Sequence, residues 1–181
     1  HLAADGRKEA FKLAEHLLFV PDSPPEVDEG DSGFVLTMRT QWMLPRLEWN
    51  ALEAFLNSGL PALESLDSEK TLRMLLAKVN RIQRLAEMLG VGGSWGLWHD
   101  AFEDSSDREK IPGQLASATA EVAERFASSE PEAAKTTLST LDKYNGRIFQ
   151  RIRYRVLGAA GKHLQEELDS VIASQEAIEP E

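Results

Sequence analysis

The chain has 181 residues, with 20 basic and 30 acidic side chains, and its formal net charge is -10 at pH 7. This excess of acid argues against a protein that binds nucleic acid or an anionic membrane over a broad surface, because both need net positive surfaces. Cysteine is absent, which excludes disulfides and thiolate metal sites and is compatible with a reducing compartment. No apolar run approaches the roughly 18 residues that span a bilayer. We expect a cytoplasmic protein with no membrane segment.

The N-terminal part of the chain is predicted to be a helix over 1–20, capped by Asp5 and followed by an acidic loop. Residues 21–33 contain three prolines, five acidic residues and no basic residue, which is typical of a loop. The stretch at 34–42, FVLTMRTQW, is the only one with strand character, so one short strand or hairpin stays open there. We assign the loop and this stretch together to 21–44.

Helical spacing dominates residues 45–177, and 178–181 are expected to be a frayed tail. Ser58-Gly59 and Pro61 are expected to break or kink the first helix of this domain. The next helix is the most regular in the chain. Its apolar side chains recur at helical spacing and are expected to be buried: Leu72, Leu75, Leu76, Val79, Ile82, Ala86 and Leu89. Further along, Ser129, Pro131 and Glu132 have the spacing of a capping box.

About six helices joined by short turns predict an all-α protein built from antiparallel helical hairpins. The segments around Asn80-Arg81-Ile82 and Asn145-Gly146-Arg147-Ile148 are similar to each other, and each follows another helix. HEAT and armadillo repeats recur at roughly 40 to 47 residues. The separation here is longer, so a diverged repeat and a chance similarity both stay open. Our expectation is a HEAT/armadillo-like helical repeat.

Residues 143–163 carry six basic side chains and no acidic one, although the chain as a whole is acidic. On a helical wheel four of them fall in one sector, beside an apolar sector: Arg147, Arg151, Arg155 and Lys162. One interpretation is that acidic residues elsewhere in the domain neutralise this sector. The other is a contact surface for an acidic partner protein or an adjacent repeat. A nucleic-acid adaptor is a further alternative, although single-strand binders usually expose several aromatics and only Tyr154 could serve here.

The dipeptide His99-Asp100 resembles the centre of HD-type metal-dependent phosphohydrolases, which are also all-α. His16 would then supply a second histidine, although the acidic run after Asp100 does not resemble the apolar helix expected there. The other interpretation is that Trp95 and Trp98 bury their rings and anchor a long interhelical loop. The sequence lacks the Ser-His-Asp order, the HExxH motif and paired Glu-x-x-His helices. We therefore expect no catalytic residue, metal or cofactor.

Two stretches, WMLPRLEWNALEAFLNSGLPAL at 42–63 and YNGRIFQRIRYRVLGAAGKH at 144–163, resemble the helical-repeat regions of large bacterial STAND-type NTPases associated with anti-phage defence. The resemblance implies a superhelical scaffold that senses or recruits a partner. The nucleotide-binding motifs of that family are absent from these residues, so it implies no ATPase role. We predict a non-catalytic scaffold or protein-interaction module, a fragment of a larger protein, with the oligomeric state undetermined.

Overall fold

The computed structural model describes residues 2–23, 49–88, 98 and 111–169. Within these ranges the regular structure is helical and contains no β-strand, so the all-α prediction is confirmed. The strand or hairpin considered at 34–42 lies outside the described residues. The α-helices are α1 (Leu2–Leu17), α2 (Trp49–Ala54), α3 (Leu60–Leu66), α4 (Ser68–Met88), α5 (Ile111–Ser129), α6 (Pro131–Leu141) and α7 (Arg147–Ala160).

The chain divides into two compact units, residues 1–118 and 119–181, and α5 contributes residues to both. In the first unit, α3 contacts α1 and α4. In the second unit, α6 contacts α7. The boundaries that the sequence suggested, at 20, 44 and 177, stay a prediction.

The apolar stripe of α4 forms much of the core of the first unit. The side chains predicted to be buried are at most 1% exposed: Leu72, Leu75, Leu76, Val79, Ile82 and Ala86. Leu89 lies outside the described residues. Burying one such aliphatic side chain contributes about 1.5–3 kcal/mol, so this helix is fixed by its packing more than by its intrinsic propensity.

The break predicted at Ser58-Gly59 and Pro61 is confirmed, and it takes the form of a π-helix. The π-helix Phe55–Gly59 follows α2 directly and leads into α3, which has Pro61 in its first turn. A proline is tolerated there because the N–H groups of the first turn have no partner within their own helix. Gly59 has a steric role, since a Cβ at this position would lie 2.8 Å from Cδ2 of the buried Phe55 ring.

Replacing Gly59 by alanine is expected to lower the free energy of unfolding by about 1 kcal/mol, because the clash with Phe55 outweighs the gain in helix propensity. Gly158 in α7 is the matched control, since a Cβ there meets nothing within 4 Å. Gly158→Ala is therefore expected to raise stability by about 0.5–1 kcal/mol. Thermal unfolding followed by circular dichroism measures both. A Gly59→Ala variant as stable as Gly158→Ala would contradict the steric role.

Two predicted helix caps are wrong. Asp5 lies inside α1, which begins at Leu2. Ser129 is the last residue of α5, and its hydroxyl donates to the carbonyl oxygen of Phe126 at 2.7 Å instead of capping α6. Glu130, in an extended conformation, takes the N-cap position without a side-chain hydrogen bond. Cap motifs fail here because α5 extends as far as the serine that was expected to start the next helix.

The connection between α6 and α7 positions the basic helix. Gly146 is the N-cap of α7 and has a φ of 122°, a conformation that favours glycine. The Tyr144 ring before it stacks on Phe149 inside α7, with ring centroids 5.0 Å apart. The buried face of α7 fills the core of the second unit: Ile148, Phe149, Ile152, Val156, Leu157 and Ala160.

Candidate functional site

The outward face of α7 carries a row of residues that we call the basic stripe. Its first four members are spaced at i, i+4, i+7 and i+11, which places them on one side of α7: Arg147, Arg151, Tyr154 and Gly158. The fifth member, Lys162, lies in the 3-10 helix Gly161–His163 that follows α7. All of them are exposed except Arg151, which is half-buried. Helix α7 contains no acidic residue. The stripe spans about 20 Å at the 1.5 Å rise of a helix.

The two ends of the basic stripe have no partner inside the described part of the chain. Arg147 and Lys162 are both exposed, and neither takes part in a hydrogen bond or ion pair there. Arg151 differs from them, because it has an interaction within the protein. The middle of the stripe offers an aromatic ring, since the Tyr154 side chain is 52% exposed. A Cβ at Gly158 would meet nothing, so the surface next to this ring is open.

Two other arginines of α7 are neutralised by acidic residues of neighbouring helices. Arg155 donates through Nε to a carboxylate oxygen of Glu124 on α5. Arg153 donates through Nη1 to Asp142, which follows α6. The Glu124 side chain is only 23% exposed. The Arg155–Glu124 pair therefore stabilises the contact of α7 with α5 more than the more exposed Arg153–Asp142 pair stabilises its contact with the end of α6. Of the four residues predicted for a contact surface, Arg155 has a role in the packing of the second unit.

Of the residues considered for a metal site, His16 alone lies in the described part of the chain. His16 lies exposed in the last turn of α1, while His99 and Asp100 lie outside the described residues. Among the residues that the structure describes, no three histidine, aspartate or glutamate side chains are placed to hold a metal ion.

The burial predicted for the Trp98 ring is confirmed, and Trp95 lies outside the described residues. The Trp98 side chain is 7% exposed, and its Nε1–H donates to Oε1 of Gln83 on α4 at 2.5 Å. Gln83 is itself buried and donates through Nε2 to Glu87 at 2.9 Å. No sequence pattern distinguished Gln83 from its neighbours, because a glutamine within a helix is usually solvated.

The first unit contains an apolar groove that the sequence analysis missed. Helix α1 forms one wall, and α2, the π-helix and α3 form the other. The groove has a volume of about 470 Å³ and is lined by small and aliphatic side chains, among them Ala10, Leu13, Ala54, Ala62 and Leu66. Leu13 is 60% exposed at its edge. Alanines at helical spacing were the available signal, since small residues leave room between helices.

A half-buried lysine lies on α4, facing α1. Burial lowers the pKa of the Lys78 ammonium below its ordinary value of 10.5, and the Glu15 carboxylate of α1 partly offsets that shift. The charge of Glu15 therefore favours the protonated amine. Because a carboxylate is nearby and the lysine stands on a packed helix, we assign this pair to the contact between α1 and α4.

Comparison of the chain with protein-family models, with curated proteins and with solved structures finds no significant match. None of the helices in the described ranges combines the length and the apolar character that crossing a membrane requires.

Proposed function

We propose that this chain is a non-catalytic, HEAT-like helical scaffold that binds an acidic protein partner in the cytoplasm through the basic stripe of α7. The observation that carries the proposal is the pair of exposed, unpartnered cations Arg147 and Lys162 on either side of the exposed Tyr154 ring. The buried face of the same helix holds this row in place, so the stripe is presented on a rigid element.

An acidic protein is a better partner for this surface than a nucleic acid. Arginine and tyrosine are enriched at protein interfaces, where an aromatic ring and a guanidinium group contribute much of the binding energy. The chain around this helix has a net charge of -10, and its repulsion weakens binding of a nucleic acid more than binding of an acidic protein, because duplex DNA carries one negative charge for about every 1.7 Å of its axis. Single-strand binding also relies on several stacked aromatics, whereas the stripe has Tyr154 alone.

The resemblance to the repeat regions of STAND-type NTPases gives the proposal its wider setting. Helical repeats contact their neighbours and expose long surfaces for recognition. In such an arrangement, the acidic partner is a separate protein or a neighbouring repeat of the same polypeptide. Arg155 contributes least to that contact, because Glu124 already neutralises it.

Reversing three charges of the basic stripe is expected to weaken binding of an acidic partner about tenfold, because each of the three lost ion pairs contributes roughly 0.5 kcal/mol. The variant is Arg147→Glu, Arg151→Glu and Lys162→Glu. Fluorescence anisotropy with a labelled, glutamate-rich helical peptide measures the dissociation constant at low salt. Helix content by circular dichroism is expected to stay at the wild-type level.

A control variant with the same change in net charge distinguishes the effect of the basic stripe from the effect of net charge alone. It carries Arg7→Glu, Lys8→Glu and Lys12→Glu on α1, three residues that are exposed. The control is expected to bind the peptide within about twofold of wild type, since the basic stripe is unchanged and exposed charges outside a contact contribute little to affinity. Equal losses in the two variants would contradict the proposal. Tighter, steeply salt-dependent binding of a single-stranded oligonucleotide would favour the nucleic-acid adaptor instead.

A further inference from the structure

A polar cleft lies along α4 in the first unit, separate from the basic stripe. It has a volume of about 260 Å³. Its polar side is formed by Asp22, Asn80, Arg81 and Arg84, and its apolar side includes Leu85 and Met88. Met88 is 62% exposed. The cleft therefore combines guanidinium groups with one accessible apolar side chain.

The guanidinium group of Arg81 is held in one orientation. Its Nε–H donates to the carbonyl oxygen of Pro21 at 2.9 Å, and Nη2 forms an ion pair with Asp22. These two contacts leave the N–H groups of Nη1 available, because arginine has five N–H donors. They also fasten the segment after α1 to α4. Arg81 is thus oriented before any ligand arrives, which reduces the entropy lost on binding.

Arg84 and Asn80 have no such structural role. Arg84 is exposed and Asn80 half-buried, and neither has a hydrogen bond or ion pair within the described part of the chain. Arg84 lies three residues after Arg81, so both guanidinium groups lie on the same side of the helix. The cleft therefore holds one oriented arginine, one unpartnered arginine and one unpartnered amide, against the single carboxylate of Asp22.

We propose that this cleft binds a small organic oxyanion, a phosphate or carboxylate group attached to a short apolar group. Arg81 and Arg84 bind the oxyanion, since the guanidinium fork matches both groups. Asn80 adds an amide donor, and the apolar group packs on the exposed Met88 side chain. The volume is below the range of about 300–1,000 Å³ that drug-sized ligands occupy, so the ligand is small. This inference is independent of the proposed function, because it concerns other residues in the other unit.

The test is isothermal titration calorimetry of the full chain with phenyl phosphate, benzoate and inorganic phosphate. Phenyl phosphate or benzoate is expected to bind more tightly than inorganic phosphate, and the comparison of the first two identifies which oxyanion the cleft prefers. Arg84→Gln is expected to weaken binding about fivefold, as for a partly exposed charge-assisted contact. Arg73→Gln is the matched control on the same helix, since Arg73 is exposed and pairs with Glu69 outside the cleft.

A second variant, Asp22→Asn, tests whether the Asp22 carboxylate weakens anion binding. This carboxylate repels a bound anion, whereas an asparagine there keeps an oxygen that can accept from Nη2 of Arg81, so Asp22→Asn is expected to strengthen binding about threefold. Thermal unfolding verifies that each variant is folded, and the melting temperature of Arg84→Gln is expected to match that of the Arg73→Gln control. Equal dissociation constants for Arg84→Gln and Arg73→Gln would overturn the proposal. So would a dissociation constant that Asp22→Asn leaves unchanged, or no heat of binding with any of the three probes.

Discussion

Ile152→Ala is expected to lower the free energy of unfolding by about 3 kcal/mol, within the range for truncating a fully buried aliphatic side chain. Ile152 is 0% exposed and lies in the middle of the buried face of α7. Shortening it removes apolar contacts and leaves a cavity that its neighbours fill only in part. Urea unfolding followed by circular dichroism measures the change.

Tyr154→Ala on the same helix is the control for this prediction. Tyr154 is 52% exposed and belongs to the basic stripe, so its loss is expected to change stability by no more than about 0.5 kcal/mol. The two variants together test the orientation of α7, because Ile152 and Tyr154 lie two residues apart and the first is buried while the second is exposed. Equal destabilisation by both would show that the helix is rotated from the orientation described above.

Trp98→Ala is expected to destabilise the first unit by about 3 kcal/mol, the usual cost of removing a buried aromatic ring. Its indole is 7% exposed and is bound to the buried Gln83. Urea unfolding followed by circular dichroism measures this change as well. An effect as small as that of a surface substitution would contradict the anchoring role of Trp98.

Trp98→Phe separates the hydrogen bond from the ring. Phenylalanine keeps most of the apolar contact but cannot donate to Oε1 of Gln83, so a smaller loss of about 1–2 kcal/mol is expected. Trp98→Phe combined with Gln83→Leu is then expected to recover part of that loss, because no buried amide is left without its donor. Additive losses in the double variant would indicate that the two residues act independently.

The helices with the clearest periodicity could be predicted from the sequence. The apolar stripe of α4 recurs every three to four residues, so the pattern alone predicted which of its side chains are buried, from Leu72 to Ala86. For α7 the pattern predicted one apolar sector beside the basic one. The same geometry grouped Arg147, Arg151 and Lys162 on one side. It also grouped Arg155 with them, since a helical wheel does not show which acidic residue lies across the interface.

Contacts between residues distant in the sequence could not be predicted. Glu124 lies 31 residues before Arg155, and Pro21 lies 60 residues before Arg81. Such pairs depend on how helices pack, which single-residue preferences do not determine. The π-helix at Phe55–Gly59 could not be predicted from the sequence either. Glycine and proline indicated a break, but the fit of Gly59 against the Phe55 ring became visible only in the structure.

The role of α7 as a helix with one buried face and one binding face is tested most directly by NMR titration of the isotope-labelled chain with the glutamate-rich peptide. The largest backbone amide shifts are expected at Arg147, Arg151, Tyr154, Gly158 and Lys162, and they are expected to disappear in the triple charge-reversal variant. Shifts that cluster on other helices, or an absence of shifts at saturating peptide, would contradict the account.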